Sequence, residues 1–310
     1  MPVCNGMPHL PAALDSIFRQ TYRRQRLIVW DNGSDDGSIE ELRRWIPHRI
    51  SGEIQHGKRL NAGECNARLV ELATTEICAR LEADGVNHHD RLLRQTAFLA
   101  AHPQVVAAGA SVRAIDEEGR PHFWHGWKLD YYEDDQDIVH DLLVHAALPQ
   151  PAMIFRRSAV MAAGNFHSLK RGEDYELQLR LAARGRLANV PGQLLGHRFH
   201  ASSAERPHAG REHFHPEAAA MFAREGQTLF GVREDHLLRL KRCEHRRALP
   251  HLFAIVRALE RREPIGHLRR LFSPSFLKSA GQLVSDQDRS ARAFLGLARR
   301  VSGMRGALLL

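Results

Sequence analysis

The chain has 310 residues and is 43% hydrophobic and 26% charged, an ordinary composition for a globular protein of one large or two smaller domains. No run approaches about 18 apolar residues, so no transmembrane helix is expected, and no secretory leader is expected ahead of the fold. The net charge of +8 is unevenly placed: residues 1–210 carry 25 Lys and Arg against 26 Asp and Glu, whereas residues 211–310 carry 19 against 10.

Leu10 to Gln20 reads as a helix with apolar side chains at Leu10, Ala13, Leu14 and Ile17. Leu27-Ile28-Val29-Trp30 is a buried strand, closed by the turn residues Asp31-Asn32-Gly33-Ser34. Ser38 opens a helix with Glu41 three residues on, the pattern of a capping box. Cys65–Leu72 is helical, Ile77–Leu81 a strand, Asp90 the cap of a helix over Arg91–Ala101, and Val105–Val112 a further strand. This alternation predicts an α/β fold, a mostly parallel sheet with helices on both faces. Ligands in such sheets bind at the carboxyl ends of the strands, where Asp31 and Glu82-Ala83-Asp84 fall.

Residues 113–150 are less regular. Asp116-Glu117-Glu118-Gly119 has hairpin-turn chemistry, and the acidic stretch Tyr131–Asp141 reads as a mobile loop or a helix over the site. Met153-Ile154-Phe155 is strand-like, and Ser158–Ala163 is a short helix ended by Gly164. Tyr175–Arg184 is an amphipathic helix stopped by Gly185, and Leu187–Val190 and Leu194–Phe199 are extended. From Arg211 the pattern is helical. Leu252, Ile255, Val256 and Leu259 mark one apolar face, and Phe276, Leu277, Ala280, Leu283 and Val284 another; Pro264 and Pro274 separate the helices.

Two acidic motifs carry the chemistry. Glu82-Ala83-Asp84 closes a strand, where carboxylates suit a divalent metal holding a diphosphate, Mn2+ or Mg2+ by all-oxygen ligation. Gly172-Glu173-Asp174-Tyr175 opens a helix, where a carboxylate suits a general base and is also favoured by the helix dipole. Asp31 would form an Asx-turn whatever else it did. Four cysteines, Cys4, Cys65, Cys78 and Cys243, lack Cys-x-x-Cys spacing and read as reduced core thiols of a cytosolic protein, with neither zinc nor disulfides. Of the histidines, His197 with His200, and His208, His213 and His215, lack the helical spacing of a zinc site. Trp124 and Trp127 stand beside the acidic stretch, where they would stack on a sugar or simply pack.

Pro2-Val3-Cys4-Asn5-Gly6, Trp30 to Ser38, Asn61-Ala62-Gly63 with Ala67-Arg68, Glu82 to Asp84, Phe155-Arg156-Arg157-Ser158 and Gly172 to Tyr175 occur in this order. The ordered set resembles the family-2 glycosyltransferases over about residues 1–205. The resemblance implies the A-type glycosyltransferase (GT-A) fold and transfer from a nucleotide-diphosphate sugar, usually a UDP-sugar, with inversion. It implies a catalytic domain over 1–210, with a nucleotide-binding half at 1–112 and an acceptor half at 113–210, and a separate basic helical region at 211–310. Pro2, Val3, Asn5, Asp31, Arg68 and Glu82 would bind the nucleotide, and Glu82, Asp84 and His200 the metal. Asp174 would be the base and Glu173 its aid. The acceptor would be a glycan or a lipid-linked glycan of surface polysaccharide synthesis.

Three departures accompany the likeness: Glu82 stands for the usual Asp, Gly85 for a further acid, and three or four apolar residues are missing before Pro2. The last points to a short first strand or a start upstream of Met1. The rival reading is a silent, scaffold-like member. A nucleotidyltransferase would need a Gly-rich basic loop after the first strand, and Asn5-Gly6-Met7-Pro8 is not one. The basic tail would cap the domain or lie on anionic lipid with its apolar faces inserted. It lacks a nucleic-acid module, so no nucleic-acid partner is expected. Localisation would be cytoplasmic, at the inner face of the plasma membrane if the tail binds lipid.

Overall fold

The computed structural model describes residues 1–122, 132–169, 172–200, 216–244, 247–262, 264, 266–284 and 287–307. Trp124, Trp127, His208, His213 and His215 lie outside them.

The first half alternates as the sequence predicts. Strands β1 (Pro2–Val3), β2 (Leu27–Asp31) and β3 (Gly52–His56) pair in parallel in the order β1-β2-β3, with α1 (Leu10–Phe18) and α2 (Ser38–Trp45) between them. Their apolar sides form one core, in which Met1, Val3 and Val29 meet Leu10, Leu14 and Leu42. The capping box predicted at Ser38 does not form. Gly37 is the cap residue, at φ 91°, and the Ser38 hydroxyl is committed to Asp36 instead. A capping box appears one helix later, on α3 (Ala62–Leu72): the Asn61 side chain accepts from the Glu64 N–H while Glu64 accepts from the Asn61 N–H, both at 3.0 Å. Asn61→Ala should therefore cost about 1 kcal/mol, read as a lowered urea midpoint with an unchanged slope.

A second sheet follows, in the order β4-β7-β6-β8-β5. Its strands are β4 (Ile77–Ala79), β5 (Val86–Asn87), β6 (Val105–Ile115), β7 (Ile154–Arg156) and β8 (Arg186–Arg198). The long pair β6–β8 is parallel, and β4–β7, β6–β7 and β5–β8 are antiparallel. The two extended segments expected near 187 and 199 are one strand, β8. α4 (Arg91–Ala101) packs on β6 and β8 through Leu99, beside Ile154 and Val190.

Of the two readings of the acidic stretch, the helix holds over Asp135–Asp141. Asp135–Asp141 is a buried helix, α5, with Ile138 and Val139 in the core. Two of its acids have hydrogen-bonding partners: Asp135 receives Arg262 at 2.9 Å through both oxygens, and Asp137 accepts from the Ser275 hydroxyl at 2.5 Å. α6 (Arg157–Ala162) follows β7, and α7 (Glu173–Ala182) is buried almost all round, so its amphipathic pattern serves an interior helix. The last region holds α8 (Pro216–Phe230), α9 (Glu234–Lys241), α10 (Leu249–Arg262), α11 (His267–Leu271), α12 (Pro274–Leu283) and α13 (Arg289–Ala307). The apolar faces of α10 and α12 are buried in one core with α5 and α7. The apolar faces of α10 and α12 expected to meet lipid are thus spent on the protein's own interior, although Phe253 and Leu297 stay exposed among the described residues.

Lys241 on α9 pins this region down. It is fully buried, donates to the carbonyls of Leu143 and Val144, sits 3.1 Å from the Tyr175 hydroxyl and lies 4.5 Å above the Phe222 ring. Burial pulls its ammonium from 10.5 to about 7. Above that value the unfolded chain holds the extra proton, so this group makes stability rise with pH from about 7 to about 10 and fall as the pH drops back. Thermal melts over that range should slope upward in the native protein and flatten in Lys241→Met; equal slopes would refute the assignment.

Candidate active site

Pairing of Pro2–Val3 with Trp30–Asp31 makes the loops after β1 and β2 leave the sheet side by side. The second loop grips the first. The N–H groups of Asn5, Gly6 and Met7 donate to Ser34 Oγ, Ser38 Oγ and Asp36 Oδ2 at 3.0, 2.9 and 2.8 Å. Asn5 Oδ1 accepts in turn from the Asp35 N–H at 2.9 Å, and Asn5 holds a φ of 53°, a region asparagine tolerates better than most residues. Burial acts to raise the Asp36 pKa, but bonds from the Ser38 side chain and the backbone outweigh it and hold the group below its usual value. Asp35-Asp36 is therefore a clamp on the first loop.

Between these loops, the start of α3 and the segment after β4 lies a cleft of about 660 Å³. Pro2, Val3, Asn5, Asp84, His200 and, unforeseen from the sequence, His9 line it. His200 Nε2 sits 3.0 Å from Asp84 Oδ2, and the His9 and His200 rings lie 4.9 Å apart. Burial, and then the nearby Arg198 and His200, lower the His9 pKa, so its imidazole is neutral at pH 7.

Two buried arginines set this geometry, and the sequence reading passed over both. Arg198 donates to the Asp84 carbonyl at 3.0 Å and to the carbonyls of Asp116 and Glu117 at 2.7 and 2.6 Å, tying the acidic triplet to the 116–119 turn. Arg91 donates to the Arg80 carbonyl at 2.8 Å and to Asn87, bracing the triplet from both sides. A lone Arg in sequence carries no sign that its donors will serve backbone carbonyls.

The other predicted residues are not at the cleft. Glu82 turns towards His197, at 3.4 Å, and does not line it. Asp31 is buried and accepts from the Gly33 and Ser34 N–H groups at 3.2 and 3.4 Å, the Asx-turn its sequence would make. Arg68 is exposed and paired with Glu71 at 3.1 Å. Glu173 and Asp174 form the first turn of α7 behind Gly172, which takes a φ of 78°; Gln150 reaches Glu173 at 3.3 Å. His167 and Ser168, ahead of them, are fastened to the start of α3. Asn61 Nδ2 donates to Ser168 Oγ at 2.7 Å, and Gly63 comes so close to the His167 carbonyl that an added Cβ would lie 2.0 Å from it.

One carboxylate oxygen and one imidazole nitrogen at 3.0 Å suit a divalent cation of the Mn2+ type, since imidazole broadens an oxygen site towards transition metals. His88, His89 and Asp90 also bring ligand atoms within 4.8 Å of one another, but on an exposed turn outside the cleft, where Asp90 accepts from Thr21 at 2.8 Å. Cys4 is exposed at the cleft, contrary to the expectation of a core thiol, while burial raises the thiols of Cys65 and Cys78 to about 11; no disulfide joins the four cysteines.

The sequence pattern described as glycosyl transferase family 2 matches residues 1–161, which hold the clamped loops and the acidic triplet. The chain belongs to this family. Glu173, Asp174 and His200 lie beyond the matched residues. AmsE of Erwinia amylovora, an amylovoran biosynthesis glycosyltransferase, is 27% identical over 201 residues, 60% of this chain and 69% of its own. WbnJ of Escherichia coli, an O-antigen biosynthesis glycosyltransferase, is 23% identical over 210 residues, 64% of this chain and 77% of its own. TarS 1-349 from S. aureus, solved with UDP-GlcNAc, superposes with a TM-score of 0.58 at 15% identity, covering 96% of this chain and 86% of its own. The mannosyltransferase PcManGT of Pyrobaculum calidifontis, solved with GDP-Man and Mn2+, gives 0.50 at 18% identity over 99% and 83% of the two chains. These structures establish the GT-A fold. Among the described residues no helix is long and apolar enough to cross a membrane.

Proposed function

We propose that this family-2 glycosyltransferase moves one sugar, with inversion, from a nucleotide-diphosphate donor, a UDP-sugar first, to a hydroxyl of a glycan or lipid-linked acceptor. The observation that carries the reading is the Asp84–His200 pair, 3.0 Å apart in a cleft at the carboxyl ends of β1 and β2. Relatives in amylovoran and O-antigen biosynthesis support a role in surface polysaccharide synthesis.

Pro2, Val3 and Asn5 form the donor wall, and Asp31 keeps the turn beside it in shape. Asp84 and His200 would hold Mn2+ or Mg2+, which when bound neutralises charge on the leaving diphosphate. Glu82, which faces His197 outside the cleft, and Arg68 receive no role. Asp174 takes the acceptor proton as the acceptor oxygen bonds to the anomeric carbon; the bond from that carbon to the diphosphate breaks on the opposite face. Glu173 holds the turn that presents Asp174. Positioning and charge stabilisation supply most of the rate. Residues 1–210 are the catalytic unit, braced by 211–310. The site of action is the cytoplasmic side of the plasma membrane, where arginine-bearing faces of the last helices would meet anionic headgroups.

The test is incubation with UDP-, GDP- and dTDP-sugars and lipid-linked acceptors, with the product anomer read by NMR. Transfer with inversion supports the proposal. The second reading, a silent binding subunit, draws on Glu82 facing His197; donor-dependent stabilisation without turnover would select it.

A further inference from the structure

Of Glu173–Leu177, the start of α7, Asp174 alone keeps part of its surface exposed; Glu173, Tyr175, Glu176 and Leu177 are buried. The polar neighbours in this turn are tied to different parts of the chain. Glu173 accepts from Gln150 at 3.3 Å, and the Tyr175 hydroxyl donates to the Leu142 carbonyl at 2.6 Å. Glu176 is fully buried; it faces His167 Nδ1 at 2.7 Å and accepts from Arg180 at 3.0 Å and Arg224 at 3.5 Å. A carboxylate accepts, so the His167 Nδ1–H donates. At 3.6 residues per turn, Asp174 and Glu176 stand about 200° apart around the helix axis. Glu176 therefore anchors the inner side of the turn that carries Asp174 on its outer side.

The segment that carries His167 is itself fixed to the cleft. Asn165, at φ 63°, donates to the Ala67 carbonyl at 3.1 Å. Ser168 Oγ accepts from Asn61 Nδ2 at 2.7 Å and donates to Glu64 at 3.2 Å, while the His167 carbonyl packs on Gly63. These partners belong to α3 or its cap, and Ala62, Cys65 and Asn66 of that helix line the cleft. Asn32, which also lines it, holds the residue before the cap: its side chain accepts from the Leu60 N–H at 2.7 Å and donates to the Leu60 carbonyl at 2.8 Å. Short hydrogen bonds thus lead from Asn32 through Leu60-Asn61 and His167-Ser168 to Glu176.

We propose that His167 is a positioning residue for transfer: acting through Glu176, it sets where the Asp174 turn stands relative to the cleft. The inference rests on the base role of Asp174 and the donor role of the cleft proposed above. A general base must lie within hydrogen-bond reach of the proton it removes, and a misplacement of about 1 Å costs on the order of 10²-fold in rate. The cleft walls come from β1, its loop and α3, whereas α7 belongs to a different core, shared with α5 and α10. His167 and Ser168 are the junction at which one is measured against the other. The His167 side chain is 45% exposed, so it does little to fill the interior. Without it, Glu176 keeps Arg180 and Arg224, and the buried carboxylate stays paired. Placement of the turn, more than stability, is what the imidazole supplies.

The experiment compares the native chain with His167→Ala and with His167→Asn, whose amide N–H lies near the place of Nδ1. With the nucleotide sugar that the native chain turns over, His167→Ala should lower kcat by about 10–10²-fold and leave the donor KM within about twofold. His167→Asn should recover most of that loss. Amide exchange at Glu176, whose N–H donates to the Gly172 carbonyl at 2.9 Å, should speed up in His167→Ala and return in His167→Asn. Titrations of UDP and GDP with Mn2+ should agree across the three proteins. An unchanged kcat, a defect confined to the donor KM, or an Asn variant no better than the Ala variant would overturn the inference. Should His167→Ala not fold, Ser168→Ala, which cuts the bond to Asn61, should lower kcat by about threefold, and an unchanged kcat there overturns the inference instead. A native chain without transfer counts against the proposed reaction. Exchange at Glu176 then decides the His167 tie alone, and equal rates in the native chain and His167→Ala overturn it.

Discussion

Asp174→Asn is expected to lower transfer by about 10²–10⁴-fold, the span of general-base catalysis, while leaving donor affinity within about twofold. The carboxylate and the amide have the same shape, so the first turn of α7 is retained. On the proposed role, what is lost is the ability to accept a proton from the acceptor hydroxyl. The cleft proposed to take the donor is lined by residues of β1 and its loop, Asn32, α3, Arg80, Ala83, Asp84, Glu117 and His200, and Asp174 is not among them. A kcat defect with an unchanged donor KM is therefore the signature to look for. A variant with near-normal kcat would transfer the base role to another group, with Glu173 the first to examine because it shares the same turn.

Asp84→Asn should act differently. It removes charge from the one carboxylate that lies both in the cleft and at 3.0 Å from His200. The expected loss in kcat/KM is about 10²–10³-fold, the scale for removing one preorganised electrostatic contact at a charge-bearing leaving group. Much of it should appear as weaker donor binding in the presence of Mn2+. Binding measured without metal should change little. Glu82→Gln should be milder than Asp84→Asn in both measurements, because Glu82 faces His197 and does not line the cleft. Equal defects for the two variants would mean that Glu82 swings into the cleft when the donor binds.

The parts of this protein that could be read in its sequence are those where local chemistry and tertiary role agree. β2 and α4 carry apolar patterns that match their burial, and Gly164 and Gly172 take the positive φ values their positions demand. β3 was missed because Gly52–His56 is only half-buried and carries no apolar alternation; it is a strand because β2 offers it an edge. The capping box was placed one helix early. Ser38 has the right spacing to Glu41, but its hydroxyl is more useful to Asp36 and the Gly6 N–H than to its own helix. The site shows the same division. Asp84 and His200 were legible, and the fold brings them together across 116 residues. Glu82 was legible as an acid but not as an acid facing inward, since one methylene and the position of His197 decide its direction. His9, Arg91 and Arg198 gave no local signal because their roles depend on which loops the two sheets bring alongside. The basic tail was legible as helices and misleading as a lipid-inserting surface, because periodicity reveals an apolar face without revealing what covers it.

The most direct test of the donor-site assignment is a calorimetric titration of UDP and GDP against the native chain and Asp84→Asn, each with and without Mn2+. The account predicts that one of the two nucleotides binds the native protein, that Mn2+ tightens it by about tenfold or more, and that Asp84→Asn loses this gain while keeping the metal-free affinity. A folded protein that binds neither nucleotide, or a Mn2+ gain that survives in Asp84→Asn, would contradict it.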